Sequence, residues 1–140
     1  MSTINFFKSP LFAVVGASAD TSKFGYKVLD WYIRAGLPTT PINPKTETIA
    51  SLKCVKSITD LENPANYSLS LIVPPAVTLE IIKQAKSIGI KNLWLQPGCE
   101  NAEVYELLKR FDQENAGLNV ILGGPCILVE GEYSLNQSRL

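Results

Sequence analysis

The sequence predicts an α/β fold in which helices cover both faces of a mostly parallel sheet of about five strands. Strand-sized, largely apolar runs recur along the chain, for example at residues 11–15 and 69–73. Such runs indicate strands that are covered on both faces. Segments with apolar residues at helical spacing follow these runs. Because the connections are short, this alternation favours parallel strands joined by right-handed crossovers, and hence a three-layer sandwich.

The first half of the chain predicts a strand–turn–helix unit and a second, shorter strand. The run 11–15 ends at Gly16, and small and polar residues follow it. Apolar side chains at helical spacing then predict a helix that ends near Gly36. After it, residues 39–42 predict a short extended segment that closes at Asn43-Pro44-Lys45.

The second half of the chain repeats this unit. The predicted elements are strands at 69–73, 92–95 and 119–122, a helix that ends at Gly89 and another through residues 104–111. Residues 45–66 are less periodic and predict only a short strand around 53–54 and a helical turn near 60–62. Since no interdomain linker is visible, we expect a single Rossmann-like domain over residues 1–140, with 131–140 as a polar C-terminal tail.

The composition is that of a globular protein without an overall electrostatic preference. Hydrophobic residues make up 46% of the 140 residues, and 13 acidic side chains balance 13 basic ones. Because a neutral total gives no basic footprint, we expect neither nucleic acid nor a membrane as a partner. The N-terminus lacks the features of a secretory signal, and three cysteines without CxxC spacing indicate reduced thiols. These features predict a cytoplasmic protein.

The absence of histidine excludes several kinds of catalytic and metal site. A chain without histidine cannot form Ser-His or Cys-His nucleophile pairs, histidine metal sites or phosphohistidine. Three scattered cysteines do not favour a structural zinc site either. We therefore expect no metal and assign no catalytic residue, and whether the chain is an enzyme stays open.

Four turns that follow predicted strands form the candidate ligand site. In a doubly wound sheet, ligands bind outside the carboxyl ends of the strands, near the point where the strand order reverses. The turns are rich in glycine, proline and small residues; they are Gly16-Ala17-Ser18, Asn43-Pro44-Lys45, Val73-Pro74-Pro75 and Gln96-Pro97-Gly98. On one edge of a sheet, they predict a shallow crevice with close access to the backbone.

The segment from Gly16-Ala17-Ser18 to Phe24-Gly25 carries the clearest ligand signal. Gly16 permits a backbone conformation that is costly for other residues, and it lets a ligand approach. Backbone N–H groups at the start of the next helix, aided by the Ser18 hydroxyl and the Lys23 ammonium, suit a phosphate or diphosphate. In the alternative interpretation, Gly16 only makes a tight turn and Ser18 caps the helix.

The turn after the second strand favours one class of nucleotide. The dinucleotide fingerprint GxGxxG would need glycines where the chain has Ser18 and Thr21, and Asn43-Pro44-Lys45 stands where a ribose-binding carboxylate is expected. A cation in place of a carboxylate disfavours NAD and favours a ligand with an extra phosphate on its adenosine ribose, either NADP or coenzyme A (CoA). Lys45 as a solvated surface residue is an equally good interpretation on this argument alone.

An ordered set of motifs resembles one known family. The set is Val15-Gly16-Ala17-Ser18, Lys23-Phe24-Gly25, Asn43-Pro44-Lys45, Val73-Pro74-Pro75 and Trp94-Leu95-Gln96-Pro97-Gly98. In this order and spacing, from about residue 9 to residue 130, it is similar to the stand-alone CoA-binding domain proteins, which resemble the N-terminal domain of the succinyl-CoA synthetase α subunit. Residues 39–42 and 123–125 depart from the family pattern.

This resemblance implies a Rossmann-like fold that binds CoA across the strand ends. It places Gly16-Ala17-Ser18 at the phosphates and Asn43-Pro44-Lys45 by the adenosine and its 3′-phosphate. It places Val73-Pro74-Pro75 along the adenine or pantetheine path, and Gln96 where the thiol end emerges. No ligase activity is implied, because the catalytic histidine of the synthetase lies in a further domain.

The resulting hypothesis is a CoA- or acyl-CoA-binding protein with no evident catalytic activity of its own. The alternatives are an NADP-type, oxidoreductase-like protein and a regulatory or scaffold subunit with a vestigial nucleotide crevice. The edge strand and the apolar segment 127–129 are compatible with a homodimer, and the same segment is equally compatible with completing the core. Cys99, at a predicted helix start, is interpreted as an inert thiol rather than a redox sensor.

Overall fold

The computed structural model describes all 140 residues, and a five-stranded parallel sheet forms its centre. The elements are α1 (Thr3–Phe6), β1 (Leu11–Val15), α2 (Phe24–Arg34), β2 (Thr39–Ile42), β3 (Thr48–Ile49), β4 (Leu52–Lys53), β5 (Tyr67–Leu71), α3 (Pro75–Ile88), β6 (Asn92–Leu95), α4 (Ala102–Gln113), β7 (Asn119–Ile121) and α5 (Ile127–Ser138). The strand order is β2-β1-β5-β6-β7, and all neighbouring pairs are parallel. The predicted α/β fold is confirmed. None of the helices is long and apolar enough to cross a lipid bilayer.

Helices cover both faces of the sheet because alternate strand residues point to opposite sides. Ala13 and Val15 belong to a core under α3 and α4, whereas Phe12 and Val14 belong to a second core under α1, α2 and α5. The second core is rich in aromatic rings. The result is the predicted three-layer sandwich, in which the strand ends, rather than the faces, are left accessible.

The buried hydroxyl groups of two strand serines, Ser68 and Ser70, each form a hydrogen bond beneath the aromatic layer. The hydroxyl oxygens of Ser70 and Tyr32 lie 2.6 Å apart, and Ser68 donates to the carbonyl of Phe6 at 2.7 Å. Tyr32 and Ser70 are fully buried. Burial raises the pKa of the Tyr32 phenol well above its usual range, although the hydrogen bond with Ser70 opposes the shift. The phenol therefore stays protonated.

Removing one partner of this buried pair is expected to destabilise the protein more than removing both. Ser70→Ala should lower the free energy of unfolding by about 1–3 kcal/mol, because it leaves the Tyr32 hydroxyl buried without a partner. The Tyr32→Phe/Ser70→Ala double variant should recover most of that loss. Urea unfolding of the wild type and the three variants measures the coupling. Purely additive losses would contradict an interaction between the two hydroxyls.

The connection from β2 to β5 contains a β-hairpin where a helix would be usual. Strands β3 and β4 pair antiparallel, and 3₁₀ turns at Ile58–Asp60 and Pro64–Asn66 follow them. This matches the short strand and helical turn that the sequence predicts in 45–66. The hairpin arm also covers the edge of β2, because Val55 N–H donates to the carbonyl of Pro41 at 3.0 Å. Proline is tolerated there since its missing N–H would face away from the sheet.

The prediction of a polar C-terminal tail over 131–140 is wrong. Residues 127–138 form helix α5, and Gly131, Ser134 and Leu135 on it are buried. Two of these three residues are small, so helical periodicity is hard to see in the sequence. Gly131 is required by packing, because a Cβ atom there would lie 2.6 Å from the Trp31 ring. The helix completes the second core within the chain itself.

Candidate ligand site at the carboxyl edge of the sheet

The strand order reverses between β1 and β5, and open α/β sheets have a crevice at such a point. From β1 the chain crosses to β2 on one side, while β5 and the later strands lie on the other. The loops that leave β1 and β5 therefore part from each other at the carboxyl edge, which is where open α/β sheets bind ligands. Three of the four predicted turns, those after β1, β2 and β5, contact one another there.

Two glycines allow the β1 loop to pack backbone against backbone. Gly16 has φ +90°, and a Cβ atom on it would lie 2.1 Å from the carbonyl oxygen of Ile72. A Cβ atom on Gly25 would lie 2.1 Å from the carbonyl oxygen of Gly16. No side chain fits either gap. The start of α2 is thus pressed against the end of β1, and residues 19–24 between them are exposed at the edge.

The β1 loop leaves several backbone donors without acceptors. The amides of Ala17 and Ser18 donate no hydrogen bond within the chain, and neither do those of Phe24 and Gly25 in the first turn of α2. Lys23 occupies the N-cap position of α2 and provides no side-chain cap. Unpaired amides at a helix N-terminus favour an anion.

The Ser18 hydroxyl does not cap α2, contrary to the alternative interpretation of this residue. Its oxygen accepts a hydrogen bond from the Asp20 amide at 3.1 Å. The Asp20 carboxylate accepts in turn from the hydroxyl and the amide of Ser22, at 2.6 Å and 3.0 Å. These bonds, with a smaller contribution from the Lys23 charge, lower the pKa of the fully exposed Asp20. An ionised carboxylate thus lies in the same loop as the free amides.

Asn43 joins the β1 and β2 turns. Its Nδ2 donates to the carbonyl of Ala17 at 2.9 Å, and its Oδ1 accepts from the amides of Lys45 and Thr46 at 2.8 Å and 3.0 Å. A carboxylate could accept the last two bonds but could not donate the first. This explains physically why an amide stands where a ribose-binding acid was expected. Pro44 and Lys45 are exposed beside it.

The turn after β5 is poor in hydrogen-bond donors. Pro74 is the N-cap of α3 and Pro75 its first residue, so two N–H groups are missing. The amides of Val77 and Thr78 both donate to the carbonyl of Pro74. With the half-buried Val73 beside these prolines, this side of the crevice is largely apolar.

Gln96 does not line the open part of the crevice. It is 3% exposed, its Oε1 accepts from the amide of Ile127 at 2.9 Å, and its Nε2 donates to Cys126 Sγ at 3.3 Å. The side chain ties the end of β6 to the start of α5. The family resemblance places Gln96 at the thiol end of a ligand, but the buried side chain is not accessible to one.

Cys99 has the properties of an inert thiol. It is buried, and its Sγ donates to the carbonyl of Leu71 at 3.1 Å. Burial raises the pKa of this thiol, and the nearby Glu100 charge adds to the increase. A redox sensor needs the opposite shift and an accessible sulfur.

Two features of the edge were missed in the sequence. The first is the hydrogen-bonded Asp20 carboxylate. The sequence could have predicted it, since Ser18-Ala19-Asp20-Thr21-Ser22 is rich in residues whose side chains hydrogen-bond to nearby backbone groups. The second feature is the proximity of Lys53 and Lys56 to Lys45 at the β2 turn. The sequence gave no sign of it, because residues 45–66 have no clear periodicity.

Comparison with known proteins identifies the family of this chain. Residues 11–132 match the protein family described as CoA binding domain. The ADP-forming acetate–CoA ligase of Methanocaldococcus jannaschii is 27% identical over 117 residues, which cover 83% of this chain and 16% of the ligase. The chain therefore spans only a small part of that relative.

Solved structures show the same fold. A conserved hypothetical protein from Pyrococcus furiosus superposes with a TM-score of 0.75 at 36% identity, covering 85% of this chain and 97% of that one. The dinucleotide-forming acetyl-coenzyme A synthetase 1 of Candidatus Korarchaeum cryptofilum, in complex with phosphate and ADP, superposes with a TM-score of 0.69 at 29% identity. That match covers 82% of this chain and 25% of the synthetase. With a family match over most of its length, this chain belongs to the CoA binding domain family.

Proposed function

We propose that this protein binds CoA or an acyl-CoA at the carboxyl edge of β1, β2 and β5, as a binding domain without a reaction of its own. The observation that carries the proposal is the group of unpaired amides at Ala17, Ser18, Phe24 and Gly25. These donors lie where the N-terminus of α2 favours negative charge, so they suit a diphosphate. Family membership supports CoA as the carrier of that diphosphate.

One side of the crevice is polar and the other is largely apolar, which matches the charged nucleotide half and the less polar pantetheine half of CoA. The β1 loop offers amide donors, and the β2 turn adds Lys45 without an ion-pair partner. The β5 turn offers Val73 and the prolines 74 and 75, which supply few donors. We assign the diphosphate and adenosine to the first side and the pantetheine to the second. Gln96 then acts as a positioning residue that holds α5 against β6.

The side chains at this edge favour binding over catalysis. The chain has no histidine, and burial raises the pKa of two of its three thiols, Cys54 and Cys99. A nucleophile without an adjacent base is weakly activated. The edge therefore supplies hydrogen-bond donors and charge to a ligand, while a reaction would need groups from elsewhere.

A competition experiment tests the proposed function directly. The purified protein is mixed with CoA, acetyl-CoA and NADPH at equal concentrations and examined by native mass spectrometry. We expect one CoA or acetyl-CoA per chain and little NADPH. Preferential NADPH binding would favour the oxidoreductase-like alternative, and no bound nucleotide would favour a vestigial crevice. Either result would reject the proposal.

Asp20→Asn is expected to tighten CoA binding. The Asp20 charge opposes an anion on the neighbouring amides, while an asparagine Oδ1 can still accept the bonds from Ser22. Because the site is exposed to solvent, removing this repulsion should lower the Kd only by roughly two- to fivefold. Isothermal titration at low and high salt measures it, and the gain should shrink at high salt. An unchanged Kd at low salt would place the diphosphate away from this loop.

A further inference from the structure

The two edges of the central sheet differ in how they are covered. At the β2 edge, the Val55 amide donates to the carbonyl of Pro41 at 3.0 Å, and the Val55 carbonyl accepts from the Asn43 amide at 2.9 Å. Strand β7 forms the other edge, and no further strand of the chain pairs with it. It contains neither a charged residue nor a proline, the residues that commonly protect an edge strand. The β7 edge is therefore free to pair with another strand.

Backbone groups of Val120 and Leu122 point to this free edge. The Asn119 amide donates to the carbonyl of Lys91 at 2.7 Å, and the pairing with β6 continues through Ile121. Because backbone groups alternate in direction along a strand, those of Val120 point away from β6. The Leu122 amide donates only to the sulfur of Met1, at 3.4 Å. A thioether is a weak acceptor, so a carbonyl oxygen would be a better partner.

An apolar cavity of about 180 Å³ lies between α4 and the β7 edge. Asp112 and six apolar residues line it, namely Met1, Leu108, Phe111, Leu118, Val120 and Leu122. The Met1 residue is 74% exposed, so it covers the cavity only loosely. The free backbone groups thus run beside an apolar surface that the chain itself does not fill.

Helix α4 presents a stripe of side chains to the same edge. Tyr105, Leu108 and Asp112 are three and four residues apart and so lie on one side of the helix. The Tyr105 hydroxyl would lie 3.1 Å from a Cβ atom on Gly123, which places its ring near the end of β7. Asp112 lines the cavity at the other end of the helix. Tyr105 is 48% exposed, so this stripe is accessible to a second molecule.

We propose that a second copy of this chain pairs its β7 with this edge, antiparallel and across a twofold axis at Val120, so that two sheets form one sheet of ten strands. An axis at Val120 sets this residue opposite its own counterpart, and the two residues exchange both N–H···O bonds. The Leu122 amide then donates to the carbonyl of the partner's Leu118. A twofold interface must be self-complementary, and these backbone groups are.

The α4 helices add side-chain complementarity to this backbone pairing. Helix α4 connects β6 to β7, and neighbouring strands are about 4.8 Å apart, so the axis sets the two copies of α4 about 10 Å apart, within the range for packed helices. The helices run antiparallel, which brings Tyr105 opposite the partner's Asp112. Asp112 forms no ion pair within the chain. A phenol that donates to this carboxylate forms a charge-assisted bond, twice per dimer.

The apolar segment 127–129 is not needed for this interface. Ile127 is fully buried in the second core, and Val129 is 80% exposed on α5. Antiparallel pairing of β7 also leaves the two carboxyl edges at opposite ends of the joined sheet. The dimer therefore does not rest on the proposed function, and CoA binding is independent of it.

Sedimentation velocity over a series of protein concentrations tests the inference. We expect the wild type to reach twice the 15.3 kDa of one chain at high concentration. Tyr105→Glu should raise the dimer dissociation constant about tenfold or more, because a glutamate would face the partner's Asp112 at two symmetric places. Tyr105→Glu/Asp112→Lys restores opposite charges and should recover most of the loss. A wild type that stays a monomer, or a Tyr105→Glu variant that dimerises as well as the wild type, would overturn the inference.

A matched control places the same charge on the other exposed apolar surface. Tyr133 on α5 is 69% exposed, and Tyr133→Glu should leave the dimer dissociation constant unchanged. If Tyr133→Glu separates the dimer and Tyr105→Glu does not, the interface lies at α5 and the inference is wrong.

Amide hydrogen exchange, followed by NMR, tests the strand pairing itself. In the wild type, exchange of the Val120 and Leu122 amides should become slower as the protein concentration rises. The Asn119 and Ile121 amides already pair with β6, so their exchange should change far less. Dimerisation without slower exchange at Val120 would show that the copies meet without joining their sheets, which would also overturn the inference.

Discussion

Saturating CoA is expected to raise the melting temperature of this protein by about 8–11 °C. A ligand that binds only the folded state adds about 2.7 kcal/mol of stability at a concentration 100 times its Kd. For a domain of this size, 1 kcal/mol shifts the melting temperature by roughly 3–4 °C. Differential scanning fluorimetry over a series of CoA concentrations measures the shift, which should grow with the logarithm of concentration above the Kd.

A charge placed in the β1 loop should abolish most of this shift. Ser18→Glu would put a carboxylate beside the unpaired amides of Ala17 and Ser18 and repel the diphosphate. Ser87→Glu is the matched control, because Ser87 is exposed near the end of α3, at the opposite edge of the sheet. It should keep the full shift. Equal shifts in both variants would place CoA outside the β1 loop.

Gly16→Ala is expected to destabilise the fold severely, by at least about 3 kcal/mol of unfolding free energy. Two costs combine at this residue. An alanine at φ +90° is strained, and its Cβ would lie 2.1 Å from the carbonyl oxygen of Ile72. That oxygen belongs to the backbone and cannot rotate away, so β1 and the β5 turn would have to separate. Because the net stability of a domain is only about 5–15 kcal/mol, the melting temperature should fall by more than about 9 °C.

The Gly98→Ala variant is a control that has the backbone strain of a positive φ but not the steric clash found at Gly16. Gly98 has a similar φ of +96°, but no atom lies within 4 Å of a Cβ built there. Its substitution should cost only the strain of the left-handed conformation, about 1–2 kcal/mol. Urea unfolding of both variants gives the difference. Similar losses in the two variants would show that the close approach of Gly16 to Ile72 contributes nothing to stability.

The ends of the strands were predictable from sequence, and the contacts of several side chains there were not. Gly16 and the prolines 74 and 75 mark strand ends through their backbone properties, which depend on the residue itself. Gln96 gave no sign of being buried, because its partner Ile127 lies 31 residues away in the chain. The residue contacts predicted for CoA stay predictions, and the binding experiments above test them.

The C-terminal helix α5 is another feature that the sequence did not predict and that tertiary contacts explain. Residues 131–138 have no clear apolar stripe, so local patterns indicated a tail. In the structure, Gly131 fits against Trp31 of α2, and this contact between distant segments needs a residue without a side chain. Small residues such as Gly131 indicate a packed helix only when the side chain that they pack against is known.

The local pattern of residues along the chain was sufficient to predict the α/β class and the parallel sheet. Periodicity and turn chemistry depend on residues a few positions apart, so a single sequence contains them. Tertiary packing alone decided that α5 closes the second core and that Asn43 joins two turns. Burial, hydrogen bonding and charge clustering arise between residues far apart in sequence, and only the folded chain brings these together.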